Sequence, residues 1–165
     1  MQKRSIMALG NQKKEKRCLV VYFQYPPNAI EHLKACDPQM KMAIETIGHI
    51  NRVTDQDLFS SVVHHIIGQQ ISTKAQATIF QRMQEDLKEI NASTIILAGE
   101  TKLQSYGITF RKANYILDFA QKVESGTFDI AKVASMSDEQ AINTLIQLKG
   151  IGKWTAEMIL LFCLQ

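Results

Sequence analysis

The fold is decided by nine residues late in the chain, Leu148-Lys149-Gly150-Ile151-Gly152-Lys153-Trp154-Thr155-Ala156. They lie between two segments with helical periodicity, so they predict a tight turn that joins two helices. Two glycines separated by one residue permit backbone angles that a Cβ would penalise. Ile151 stands between them and is predicted to pack under the turn. The pattern therefore indicates a helical hairpin pinned to the core.

Such a hairpin presents its backbone amides, together with those of the following helix start, to one side. With the helix dipole behind them, these amides form an anion site, and Lys153 adds positive charge at its rim. Thr155 and Ala156 are small enough to let the two helices approach closely. A DNA phosphate is the natural occupant, and its binding requires no readout of base sequence. The alternative is that the glycines merely link two helices, a routine use of glycine.

Outward from the hairpin, almost every segment after Tyr25 is predicted to be helical. Asp37-Pro38 is typical of an N-cap followed by proline, and 137–140 matches a capping box. Thr54 or Asp55 is predicted to cap a helix that buries four apolar residues: Leu58, Val62, Ile66 and Ile67. Further helices are predicted from Ser72 or Thr73, over 92–98 and 100–106, and over 111–124. The sequence therefore predicts an all-α fold.

Bulk composition excludes several classes of protein. A length of 165 residues with 45% hydrophobic and 21% charged residues fits one soluble domain. No run is long and apolar enough for a membrane span or a secretory signal. The three cysteines lie far apart, which argues against a disulfide framework, a zinc site or a cluster and favours a reducing cytosol.

Charge is unevenly distributed along the chain. Segment 1–17 holds six basic side chains and one acidic one, so it carries +5, and the remainder carries −2 of the overall +3. Residues 1–20 are expected to be a disordered basic extension and 21–165 the folded domain. DNA binding by the folded part must therefore be local rather than spread over a basic surface.

The hairpin string resembles the motif of the helix-hairpin-helix DNA glycosylase superfamily, nearest its 3-methyladenine glycosylase II branch. A second stretch, Ile66 to Ala75 (IIGQQISTKA), resembles the helix-loop-helix that enters the minor groove in the same family. The resemblance covers roughly residues 20–165. It implies a helix-hairpin-helix glycosylase fold that lacks its closing helices.

Members of this family flip a damaged base out of the duplex and cleave the bond between base and sugar. By this resemblance Gly150, Ile151, Gly152, Lys153 and Thr155 form the DNA-binding hairpin. When a base flips out, it leaves a gap in the base stack, which a wedge of side chains fills. By this resemblance the wedge consists of three residues: Gln70, Ile71 and Ser72. An apolar side chain between polar ones suits that role. The alternative is a plain junction between two helices.

Trp154 occupies the position where strand-cutting branches of the family carry a nucleophilic lysine. The resemblance therefore implies a monofunctional enzyme that uses water, with the indole stacking on an electron-poor alkylated base. Tyr106 is a second candidate for the base pocket. The alternative for Trp154 is a core residue, and Phe110 is expected to be core. His64 and His65 are expected to be structural rather than metal ligands.

The chain departs from the family at its catalytic carboxylate, an Asp that follows the hairpin at some distance. It has no counterpart before Gln165 and is expected beyond it, so the 165-residue chain itself is expected to be inactive. Three explanations are open for the missing carboxylate: a truncated chain, a broken gene, or a protein that binds damaged DNA without excising the base. Truncation is favoured. The apolar end at Leu160, Leu161, Phe162 and Leu164 is expected to be exposed and to need covering.

The sequence thus predicts a monomeric base-excision enzyme that removes alkylated purines such as 3-methyladenine from double-stranded DNA. The alternative is a non-catalytic helix-hairpin-helix DNA-binding module. A glycosylase for mismatches or oxidised bases is disfavoured by Trp154 and by the absence of cluster cysteines. No cofactor is expected, although the resemblance allows a monovalent cation at the hairpin carbonyls. The location would be cytoplasmic and nucleoid-associated in a prokaryote, or nuclear in a eukaryote.

Overall fold

The computed structural model describes residues 21–164, so the predicted basic extension 1–20 and Gln165 lie outside the described residues. The described residues form nine helices: α1 (Pro27–Cys36), α2 (Pro38–Ile47), α3 (Leu58–Gly68), α4 (Thr73–Leu87), α5 (Ala92–Ser105), α6 (Phe110–Glu124), α7 (Ile130–Val133), α8 (Asp138–Leu145) and α9 (Lys153–Cys163). This confirms the all-α prediction. None of the helices within 21–164 combines the length and the apolar character required to cross a bilayer.

Short polar side chains define where most of these helices begin, because each satisfies an amide that the helix leaves unpaired. The caps of α2 to α8 are, in order, Asp37, Asp57, Ser72, Asn91, Thr109, Asp129 and Ser137. The predicted capping box at Ser137 and Gln140 is confirmed. The cap of α3 is Asp57 and not Thr54 or Asp55, so that prediction was wrong.

Thr54 and Asp55 do not cap α3 because the backbone amides of both residues are bound elsewhere in the fold. Thr54 is tied to the N-terminal segment, since its amide donates to the Val21 carbonyl at 2.9 Å, and Tyr22 forms an antiparallel bridge with Val53. Asp55 is held differently, because its amide donates to the Phe162 carbonyl at 2.7 Å. The chain therefore stays extended before Asp57.

Helix α3 is the centre of the core and packs against α4, α6 and α9. Val62, Ile66 and Ile67 are fully buried, as their helical spacing predicts, whereas Leu58 is only half-buried. The ring of Phe59 stacks on that of Phe119 in α6 with centroids 4.7 Å apart. Because α9 also rests on α3, the core fixes the end of α3 relative to the start of α9.

The break within α5 and the apolar end of the chain were both predicted from the sequence. The predicted break between helices over 92–98 and 100–106 is present, because Gly99 has φ 72° and interrupts α5. The apolar end of the chain is less exposed than predicted, since Leu160, Phe162 and Leu164 are half-buried and only Leu161 is exposed. Arg52 covers part of it, with its guanidinium 4.9 Å from the centroid of the Phe162 ring.

Candidate nucleic-acid interface and base cleft

The hairpin between α8 and α9 is anchored by apolar side chains and by a glycine that cannot be replaced without strain. Leu148 and Ile151 are buried, as predicted. Gly150 has φ +82°, and a Cβ added there would lie 2.3 Å from Cδ2 of Tyr115 on α6. The turn therefore requires glycine at 150 for two independent reasons: backbone angle and close packing.

The start of α9 leaves its amides available to an external acceptor. Among the nine helices of 21–164, only α1 and α9 begin without a side-chain cap, and α1 begins with Pro27, which has no amide hydrogen. The amides of Gly152, Lys153 and Trp154 have no hydrogen-bond partner in the described part of the chain, and all three residues are exposed. An exposed, uncapped helix start with a dipole behind it favours an anion.

Lys153 stands at this rim with its ammonium free to turn outward. Its only ion pair within 21–164 is with Glu157, at 3.9 Å, and its side chain is largely exposed. Such a pair contributes little, so it does not compete strongly with a phosphate. Thr155 is buried in the first turn of α9, so it packs inside the hairpin.

The predicted wedge lies at the tip of the loop between α3 and α4. Gln70 is exposed and has φ +57°, a strained angle for a residue with a Cβ, and Ile71 is 38% exposed despite being apolar. The Ser72 hydroxyl already accepts from the Ala75 amide at 3.2 Å, as the cap of α4. Gln70 and Ile71 are therefore the two side chains of this loop that are free to meet a partner.

Hydrogen bonds hold the wedge loop to the hairpin, and sequence reasoning missed them. The amide of the Gln69 side chain donates to the Gly150 carbonyl at 2.6 Å. Lys112, on α6, donates to the Ile67 and Gln69 carbonyls at 2.8 and 2.6 Å and so caps the end of α3. Burial and then the charge of Arg111 lower the pKa of Lys112. No local sequence signal marks these contacts, because their partners lie far away along the chain.

Lys112→Met is expected to loosen this connection. The unfolding free energy should fall by about 1–3 kcal/mol, as for loss of hydrogen bonds to a charged group. Affinity for duplex DNA should also fall, because loop and hairpin would no longer hold a fixed separation. Chemical denaturation and fluorescence anisotropy would measure the two effects. Lys132→Met, at an exposed lysine of α7, is the matched control; equal behaviour of the two variants would contradict the positioning role.

A cleft of about 800 Å³ opens beside the hairpin, between the end of α3, the start of α4 and one face of α9. Trp154 lines it and is 69% exposed, which rules out the alternative of a core tryptophan. Met158 and Phe162 continue the wall along α9, and Gln70 links the cleft to the wedge loop. The structure thus brings the predicted hairpin, wedge and pocket tryptophan to one place.

Two aromatic assignments do not hold in the structure. Tyr106 is buried at the end of α5, away from the residues that line the cleft, and its hydroxyl donates to Asp86 at 2.6 Å. Burial and the bond to Asp86 raise the pKa of Tyr106. The prediction that Tyr106 belongs to the base pocket was therefore wrong. Phe110 was expected in the core but is 53% exposed, because Thr109 caps α6 and leaves Phe110 on its outer first turn.

The cleft also holds polar residues to which sequence reasoning gave no functional role. Asp55 lines it and accepts from the Ser61 hydroxyl at 2.7 Å. His64 and His65, for which the sequence predicted only a structural role, both line it. Residues 21–164 contain no group of three His, Cys, Asp or Glu side chains arranged to hold a metal ion.

These features define a class of protein: a helical domain with an uncapped, glycine-bracketed hairpin beside an open cleft. The family model described as HhH-GPD superfamily base excision DNA repair protein matches residues 63–163. This match spans more than half of the chain, and the chain belongs to that family. The matched region contains the wedge loop, the hairpin and most of the cleft.

Two curated relatives are named as glycosylases. The DNA-3-methyladenine glycosylase of Bacillus subtilis is 28% identical over 141 residues, which cover 78% of this chain and 46% of the relative. DNA-3-methyladenine glycosylase 1 of Schizosaccharomyces pombe is 26% identical over 148 residues, which cover 81% of this chain and 61% of the relative. The chain therefore spans about half to three fifths of the length of these relatives.

Solved structures show the same fold. The DNA-3-methyladenine glycosidase of Bacillus halodurans aligns with a TM-score of 0.68 and 29% identity over 87% of this chain and 66% of that one. The Schizosaccharomyces pombe 3-methyladenine DNA glycosylase in complex with abasic DNA aligns with a TM-score of 0.75 and 25% identity, covering 84% and 70%. An 8-oxoguanine glycosylase/lyase of Clostridium acetobutylicum, at 18% identity and TM-score 0.75, shares the fold.

Proposed function

We propose that this protein serves base excision as a monofunctional DNA glycosylase, binding duplex DNA as a monomer and releasing alkylated purines such as 3-methyladenine. The observation that carries the proposal is the position of Trp154. It stands exposed in the first turn of α9, beside the uncapped amides and on the wall of the cleft. A phosphate on those amides would place the adjoining nucleotide at the indole.

Trp154 also favours one kind of chemistry and one kind of base. An indole is no nucleophile, so the residue at this position does not form a covalent bond to the sugar, and water is the expected nucleophile. The electron-rich face of the indole attracts a base that alkylation has made electron-poor or cationic. The preference for an alkylated base agrees with the relatives, which are named as 3-methyladenine glycosylases.

The wedge loop supplies the second requirement, which is to hold the duplex open. A flipped base leaves a gap in the stack, and an exposed apolar side chain can fill it. Ile71 has that exposure, and Gln70 beside it can bond to base edges. Because Gln69 ties the loop to the hairpin and Lys112 ties it to α6, the phosphate grip and the wedge are held at a fixed separation.

Cleavage of the glycosidic bond requires a carboxylate near the sugar, because positive charge develops there. We propose that this group lies outside residues 21–164. Glu157 points its carboxylate toward Lys153, and Asp138 is in the first turn of α8. Asp55 reaches the cleft, but it is bound by the Ser61 hydroxyl. Base release by this chain is therefore expected to remain at background level.

No cofactor is proposed, and hydrolysis by water requires no monovalent cation at the hairpin. The Gly150 carbonyl already accepts from Gln69, and the Leu148 carbonyl accepts from the Ile151 amide at 3.1 Å. The expected location follows from the substrate: the nucleoid in a prokaryote or the nucleus in a eukaryote.

Lesion-selective binding tests the proposal. The 165-residue chain should bind a duplex that holds an alkylated purine about tenfold more tightly than the undamaged duplex, the scale of one stacked base. Fluorescence anisotropy gives the affinities, and chromatography of methylated DNA gives base release. Equal affinity for both duplexes would reject the glycosylase in favour of a non-catalytic DNA-binding module. Robust base release would support the enzyme but overturn the assignment of the carboxylate.

A further inference from the structure

Two adjacent imidazoles on the last turns of α3 face the cleft without hydrogen-bond partners. His64 and His65 both line it and both are half-buried. The His64 ring lies 4.6 Å from the ring of Phe80 and 6.1 Å from that of His65, measured between centroids. Neither ring makes a hydrogen bond to any residue in 21–164. The ring nitrogens are therefore available to a ligand that enters the cleft.

The chemistry of these rings fits the edge of a base. A neutral imidazole offers one donor and one acceptor, and a purine edge presents amino, carbonyl and ring nitrogen groups side by side. Ligand sites commonly combine an apolar wall with a few polar groups that fix orientation. Here α9 supplies the apolar wall through Trp154 and Met158, and α3 supplies the polar side.

The surroundings keep the two rings neutral near pH 7. Burial lowers the pKa of His64, which Asp55 partly offsets. Burial, and then the charge of His64, lower the pKa of His65, again against Asp55. Arg52 and Asp55 are the charged residues of the cleft, whereas its lining from α4 and α9 is uncharged. Neutral rings can accept from an amino group without repelling a cationic base.

We propose that His64 and His65 determine specificity by binding the polar edge of an alkylated purine whose face stacks on Trp154. This inference rests on the proposed function and deepens it, since it identifies which residues distinguish a modified purine from an empty site. An abasic site offers no edge to read, so its binding should not depend on either histidine.

The test compares two duplexes on the full chain. One carries 7-methylguanine made stable by a 2′-fluoro sugar, and the other carries an abasic-site analogue at the same position. His64→Phe and His65→Phe keep a ring of similar size but remove its hydrogen bonds. At least one of these two variants should bind the methylguanine duplex roughly tenfold more weakly than the wild type does. Its affinity for the abasic duplex should be unchanged. His→Gln at the same position retains a donor and an acceptor and should recover most of the loss.

The outcomes separate the two proposals. His32→Phe, at an exposed histidine of α1, is the matched control and should match the wild type on both duplexes. If the wild-type chain shows no preference for either duplex over undamaged DNA, the proposed function fails and this inference fails with it. If the wild type prefers the methylguanine duplex and both phenylalanine variants keep that preference undiminished, only the assignment of the histidines is overturned. Unchanged abasic-site affinity also verifies that a variant is folded.

Discussion

Gly150→Ala is expected to destabilise the protein by about 2–4 kcal/mol, a large part of the stability of a small domain. Two costs combine. The residue has φ +82°, where an L side chain is strained, and its Cβ would lie 2.3 Å from the Tyr115 ring. Chemical denaturation monitored by circular dichroism would measure the loss.

Gly152→Ala is the matched control for this prediction. Gly152 has φ −92° and ψ 173°, and a Cβ there would meet no atom within 4 Å, so the substitution should leave stability nearly unchanged. Replacing Tyr115 by Leu in the Gly150→Ala background should recover the part of the loss due to the ring. Equal stability of the two alanine variants would show that the hairpin is not held as described.

Trp154→Ala is expected to abolish lesion preference while sparing the grip on undamaged DNA. Stacking of a base on an aromatic ring contributes about 1–3 kcal/mol, so affinity for a duplex containing an alkylated purine should fall by about tenfold or more. Stability should change by less than about 0.5 kcal/mol, because the side chain is largely exposed. Anisotropy on damaged and undamaged duplexes gives both affinities.

Trp154→Phe is the conservative comparison, since it keeps a smaller stacking face and should retain part of the preference. The fluorescence of Trp154, the only tryptophan in the chain, offers a second readout in the wild type, where a stacked base should quench it. Equal losses on damaged and undamaged duplexes would remove the stacking role and leave Trp154 as a general contact to DNA.

Much of the fold could be predicted because its signals are local. Caps such as Asp37 and Ser137 satisfy amides a few residues away, and the apolar spacing of α3 directly reflects its burial. The hairpin was predictable for the same reason, since Gly150 and Ile151 determine its shape within a single turn. The error at α3 arose because Asp55 and Asp57 are both competent caps, and a contact with Phe162 decided between them.

The parts of the site that could not be predicted depend on contacts between distant segments. Gln69 reaches Gly150 across 81 positions, and Lys112 reaches Gln69 across 43, so no pattern within one helix indicates either bond. Tyr106 was misplaced because a tyrosine near a glycine suits a pocket or a core equally well. Here its pairing with Asp86 fixes it in the core.

Amide chemical shifts test most directly whether the amides at the start of α9 bind a DNA phosphate. A ¹⁵N-labelled chain titrated with a short duplex containing an abasic-site analogue should show its largest shifts at Gly152, Lys153 and Trp154. Adding salt should reverse them, because the contact is with a phosphate. If those resonances stay in place while others move, the DNA is bound elsewhere and the hairpin does not grip it.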